Sequence, residues 1–184
     1  MKKFSHMLAV AALSMSTAAL ATLSVAALTT QKQPSSIQQP SRYDMPNYVL
    51  TDSASYAVSK VLIVNGKKLD VQPLQMNTCF LVPARAVSDA LGFTTRWDAA
   101  EQAVTIVGPY MKTTQYLGID FSSAVTTIPG AVGMTAPASF GAAPLLVNNT
   151  AYVPVEIFKI IQGNDPNTLT ITDKTIELKT ITTK

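Results

Sequence analysis

Few residues in this chain have the chemistry for catalysis. The one histidine, His6, lies in a leader segment described below, and the one cysteine, Cys79, sits in the apolar run Cys79-Phe80-Leu81-Val82. A nucleophilic thiolate needs a neighbouring base or cation to form. With no histidine left after leader removal, Cys79 reads as a small buried hydrophobe, and a single cysteine excludes an intramolecular disulfide. Asp98 and Glu101 form the close acidic pair of the first half. Glycoside hydrolysis needs two carboxylates facing across a cleft, whereas two acids on one tight turn cap the backbone and face water. No D-x-[DN]-x-[DN]-G loop offers a calcium site, and no imidazole remains for a transition metal. The expectation is therefore no catalytic residue, no cofactor and no metal.

Binding has better candidates. Arg85 and Asp89 are four residues apart on a predicted helix, so a surface ion pair is the expectation. Alternatively Arg85 anchors the Trp97-Asp98 corner by a charge-assisted bond or by stacking on the indole, with a ligand carboxylate or phosphate as a third option. Trp97, the only tryptophan, is expected to be a core anchor whose N–H reaches a backbone carbonyl. The competing reading is an exposed platform for stacking sugar rings. With Tyr152, which is expected to be buried, these give Arg85, Trp97, Asp98 and Tyr152 as the candidate structural or ligand-contact residues.

The elements that position them follow from local pattern. Lys60–Val64 and Lys67–Val71 flank Asn65-Gly66, a turn whose two positions take positive φ in a type I′ hairpin. Phe80–Val82 enters a helix opened by Pro83, with Val87, Ala90 and Leu91 on one face and Gly92 as its stop. Phe93–Trp97 and Ala103–Val107 read as a hairpin. The same order returns downstream: Pro144–Val147, a turn at Asn148-Asn149, Ala151–Pro154, a helix carrying Ile157, Ile160 and Ile161, a stop at Gly163, and the hairpin 168–179. Pro154 follows Pro83 by 71 residues, and Gly163 follows Gly92 by the same interval. This is an internal repeat of β-β-β-α-β-β units. The fold class expected is α+β, with duplicated, mainly antiparallel curled sheets each packed on one short helix. Val87, Leu91, Phe93, Trp97, Ile106, Tyr152, Ile157 and Ile161 are the expected core.

Lys2 and Lys3 precede an uncharged, Ala-rich stretch from Met7 to Leu28, with Val25 and Ala27 suiting cleavage after Ala27. Residues 1–27 thus read as a signal peptide, 28–56 as a flexible Gln/Ser/Pro-rich linker, and 57–182 as a folded body of two repeats, about 57–110 and 111–182. The processed chain carries twelve basic and eleven acidic residues, a balance too near neutral to steer a phosphate backbone. Nucleic acid is not an expected partner, and no membrane span is expected after cleavage. The stretch 121–143 is uncharged and built of small residues, either an ordered crossover or an exposed binding loop.

The motifs Val64-Asn65-Gly66-Lys67, Val82-Pro83-Ala84-Arg85, Leu91-Gly92, Trp97-Asp98 and Val104-Thr105-Ile106 resemble the copper amine oxidase N-terminal-like domain, also called a stalk domain. Asn149–Pro154 resembles the second half of the same tandem. The second copy departs from it: no Trp-Asp pair follows Gly163, and Val155-Glu156 stands where the first copy has Ala84-Arg85. The resemblance implies a domain without copper or quinone, and an exported or wall-associated bacterial protein. The function expected is a non-catalytic binding or spacer module at the cell envelope, its partner a cell-wall polymer or another envelope protein. The alternatives are a secreted hydrolase using carboxylates, or an inhibitor of a secreted enzyme.

Overall fold

The computed structural model describes residues 44–45 and 47–181. The leader 1–27 and most of the linker lie outside the described residues. Within them the chain forms thirteen short strands and two short α-helices. The first strand, β1 (Val49–Leu50), is followed by β2 (Val61–Val64) and β3 (Lys67–Lys68), joined at Asn65-Gly66 with φ of 50° and 76°, as a type I′ turn requires. A second hairpin, β4 (Leu74–Met76) and β5 (Cys79–Pro83), leads directly into α1 (Ala84–Leu91). Pro83 is the last strand residue before that helix and caps it, and Gly92 ends it in the left-handed region at φ 78°. A meander of β6 (Thr94–Asp98), β7 (Ala103–Val107), β8 (Met111–Tyr116) and β9 (Ala124–Thr126) follows. The chain then forms β10 (Leu145–Val147), β11 (Thr150–Pro154), α2 (Glu156–Ile160), β12 (Leu169–Ile171) and β13 (Thr175–Leu178).

Three sheets result, in the orders β1-β10-β11-β5-β4, β12-β13-β2-β3 and β6-β7-β8-β9. The third is wholly antiparallel. The first two are mixed, because β1 runs parallel to β10 and β2 parallel to β13. The expectation of one sheet per repeat gives way to sheets shared between the repeats. Antiparallel pairing sets Val153 opposite Val82, Tyr152 opposite Pro83 and Pro154 opposite Leu81. Each residue here pairs across a local two-fold axis at Val82–Val153, which are themselves 71 residues apart, the geometry of an isologous contact. The symmetry stops at the outer sheets, where β2 extends the β12–β13 hairpin in parallel while β8 extends β6–β7 in antiparallel.

Alternation along β5 and β11 buries both faces of the shared sheet. Val82 and Val153 face the main core, with Val87 and Leu91 of α1, Ile157 and Phe158 of α2, and Ile106, Ile176 and Leu178. Leu81, Cys79 and Tyr152 face a second core with Leu74, Leu145 and Val147. That second face needs a cover, and Met45, Tyr48, Leu50 and Tyr56 supply it. This corrects the linker boundary of residue 56: Val49 and Leu50 pair with Leu146 and Val147, and the Met45 N–H donates to the Gly118 carbonyl at 2.8 Å. Residues upstream of 57 therefore belong to the folded body where their apolar side chains cover this face.

The crossover after β8 is held by buried polar groups. The Asp120 carboxylate accepts from the Ser139 hydroxyl and from the backbone N–H of Phe140 (2.9 Å) and Gly141 (3.0 Å). Gln115, also buried, donates to Thr113 and accepts from Ser122. These bonds fix the base of the 121–143 segment, whereas its tip exposes Ile128, Val132 and Met134. The segment is thus an ordered crossover with an exposed apolar tip.

Candidate functional site

Five of the elements meet at a groove of about 430 Å³. Ala84 and Arg85 come from the start of α1, Thr95 and Trp97 from β6, Val104 from β7, and Leu146, Asn149, Thr150 and Ala151 from the β10–β11 hairpin. The local reasons are plain. Trp97 lies opposite Val104 in the β6–β7 ladder, and Thr95 is two residues back on the same face. Asn148 and Asn149 both take positive φ, 47° and 62°, turning the hairpin tip over the groove as Asn tolerates.

Of the four candidate residues, the structure brings Arg85 and Trp97 to this groove. Arg85 is exposed, and among the described residues it makes no ion pair or hydrogen bond; the expected pairing with Asp89 is not formed. Arg85 makes neither the bond to Asp98 nor the stack on the indole that the corner reading required. Trp97 is half-buried rather than fully buried, packed against the main core on one side and lining the groove on the other. Its indole N–H has no hydrogen-bond partner among the described residues, in place of the expected carbonyl. A five-residue strand facing a short helix leaves the large indole more width than the core can cover.

Asp98 lies outside the groove. Its carboxylate accepts from the backbone N–H groups of Ala100 (3.0 Å) and Glu101 (3.2 Å), closing the β6–β7 turn. Tyr152 is buried on the opposite face of the shared sheet, its hydroxyl donating to the Gln72 carbonyl at 3.3 Å. Burial raises the pKa of that phenol. The reading missed Thr95, Asn149 and Thr150. Asn149 and Thr150 were legible only as a turn. The Thr95 hydroxyl is buried in the groove wall without a hydrogen-bond partner.

The repeat spacing makes a second corner comparable with this one. Seventy-one residues relate Arg85 to Glu156, Thr150 to Cys79 and Ala151 to Phe80. At the second corner the Cys79 thiol approaches the Glu156 carboxylate at 3.8 Å, and Phe80 packs against the main core with the Lys60 ammonium 5.2 Å from its ring centre. Burial pushes the Cys79 thiol far above its ordinary pKa, and the charges of Glu156 and Asp120 push it further. Burial also raises Glu156, partly opposed by its backbone and Cys79 hydrogen bonds. A thiol held so firmly protonated is no nucleophile. Among the described residues no group of three or more His, Cys, Asp or Glu is placed to hold a metal ion, and no helix is long and apolar enough to cross a membrane.

The sequence profile of the copper amine oxidase N-terminal domain matches residues 63–179, and the chain belongs to that family. In copper amine oxidase the domain so named is non-catalytic. No curated protein and no solved structure matches the chain.

Proposed function

We propose that this chain is an exported, non-catalytic binding or spacer module acting at the bacterial cell envelope, secreted or wall-associated. The observation that carries the reading is the groove. It gathers an unpaired guanidinium, a half-buried indole and two exposed polar side chains at one place, with no histidine, cysteine or carboxylate beside them among the described residues. Such convergence of uncommitted groups on an apolar wall characterises binding sites. The basic start and uncharged stretch of residues 2–28 support export, and membership of a family named for a non-catalytic domain supports the absence of turnover. The repeats read as two copies of one unit whose helices share a single core. The partner is a cell-wall polymer or another envelope protein.

Expression of the full chain in a Gram-positive host tests export: the secreted form should begin at Leu28. Sedimentation of that form with purified cell wall, beside a broad hydrolase screen, tests the rest. Retention without turnover is expected; turnover of any wall substrate overturns the reading. The exposed tip at Ile128, Val132 and Met134 favours a second reading, inhibition of a secreted enzyme, which protection of that loop from proteolysis by an added secreted hydrolase would support.

A further inference from the structure

We infer that the groove takes a sugar ring bearing a carboxylate, an acidic pyranoside, with one such site per chain. The inference rests on the binding-module reading and adds the ligand's chemical class. Among the described residues Arg85 is the only ionisable one lining the groove. Asp98, the nearest acid in sequence to Trp97, has its carboxylate committed to turn amides. The groove is therefore a cationic place, and its ligand carries negative charge. One guanidinium with its fork of donors unspent matches one planar carboxylate in bidentate fashion; phosphate recognition gathers several cations, which this groove lacks.

The remaining lining specifies the body of the ligand. Trp97 offers a flat apolar surface with a free N–H at its edge, suited to a ring with one apolar face and a polar rim. Asn149 and Thr150 stand on the exposed hairpin tip with their side-chain amide and hydroxyl unpaired. The Thr95 hydroxyl is buried and unpaired in the wall, so a ligand hydroxyl or a carried water meets an unmet hydrogen bond there. A guanidinium fork, a flat face and three uncommitted polar groups complement a carboxylate, a ring face and several hydroxyls. β11, which lines one side of the groove, is paired on both sides, whereas β6, which lines the other, is the edge strand of its sheet. The volume lies within the ~300–1,000 Å³ of small-molecule sites.

One site per chain follows from the second corner. There Phe80 stands at the position of Ala151 and Glu156 at that of Arg85, so the corner carries an aromatic ring and the opposite charge.

The single Trp97 makes the test direct. The full chain is titrated with digalacturonic acid and with the matching neutral digalactoside while tryptophan emission is followed. The expected result is a saturable change at one equivalent, with the acidic sugar bound about tenfold or more tightly than the neutral one. Arg85→Gln should erase that preference and keep the weak neutral binding. Ala151→Phe, checked for folding by circular dichroism, should abolish both responses by filling the groove. Equal affinity for the two sugars in the unsubstituted chain would overturn the carboxylate anchor. If neither sugar perturbs Trp97 while the chain still sediments with cell wall, the groove assignment falls and the binding-module reading stands. If sedimentation fails as well, both fall.

Discussion

The corner at Arg85 and the corner at Glu156 are built from the same backbone plan and have opposite contents. Both begin with a hairpin, a Val-Pro pair and a short helix, and they meet across the Val82–Val153 axis of one sheet. At the first, Ala151 leaves a groove that Trp97 and Arg85 border. At the second, Phe80 packs onto the core and a thiol–carboxylate contact takes the place of Thr150 and Arg85. The difference lies in side-chain volume and charge at repeat-related positions, Thr168 standing at that of Trp97 as well. Backbone symmetry therefore does not duplicate a site; a corner becomes a site where small residues leave room and polar ones keep their hydrogen-bonding capacity unspent.

The largest effect should come from the helices behind the corners. Phe158 of α2 and Val87 of α1 are related by the repeat spacing and both are fully buried. Phe158→Ala should cost about 3–5 kcal/mol, from lost transfer energy and a cavity. Val87→Ala removes only two methyl groups and should cost about 2 kcal/mol. Urea midpoints at constant m value check this. Equal costs would show that the halves share load differently from their packing.

Next is Trp97, which separates the two functions of the open corner. Because it is half-buried, Trp97→Ala should cost about 1–3 kcal/mol, less than a fully enclosed aromatic. Native emission should be only partly shielded from acrylamide. A spectrum fully resistant to quenching would mean that the groove is closed in solution.

How far these features were legible in the sequence depends on the range of the forces that set them. Asn65-Gly66 and Gly92 were readable because positive φ is a local property of one or two residues. The 71-residue repeat was readable from proline and glycine positions. The pairing of β2 with β13 was not, because it joins residues more than a hundred positions apart and no local pattern encodes the partner. The order of 121–143 was hidden for a related reason: it depends on Asp120 reaching Ser139, Phe140 and Gly141. Period-2 alternation gave the face of Trp97 and not its depth. The groove itself depends on what Ala151 lacks, which shows only when Phe80 is laid beside it.

A smaller effect is expected at the closed corner, with a sign opposite to most substitutions. Burial raises the Glu156 pKa in the folded state, so the native protein holds that proton to higher pH than the unfolded chain does. Stability then falls as pH rises from the ordinary carboxylate range through the raised value. Glu156→Gln should remove this slope, raising Tm by a few degrees at pH 7 and by less at pH 4. The same burial should keep native Cys79 unreactive toward iodoacetamide at pH 8 until denaturant is added. Rapid alkylation of the native state, or a Tm lowered at pH 7 by Glu156→Gln, would show that the corner is open to water.

The smallest effect is at Arg85, and it sharpens the comparison most. Arg85 and Asp89 stand one helical turn apart, a spacing that supports an ion pair worth about 0.3–0.5 kcal/mol where one forms. Here the pair is not formed, and both residues are exposed. Arg85→Gln and Asp89→Asn should therefore each change stability by less than about 0.5 kcal/mol, as surface substitutions do. The double-mutant cycle should give a coupling energy indistinguishable from zero. A measured coupling of about 0.3 kcal/mol or more would mean that Arg85 spends its charge on Asp89, leaving the open corner without its free cation. A null cycle means that replacing Arg85 leaves the fold intact while the groove loses its charge. At Glu156 the same replacement, to Gln, changes stability with pH, so one repeat position carries binding chemistry in one half and folding energy in the other.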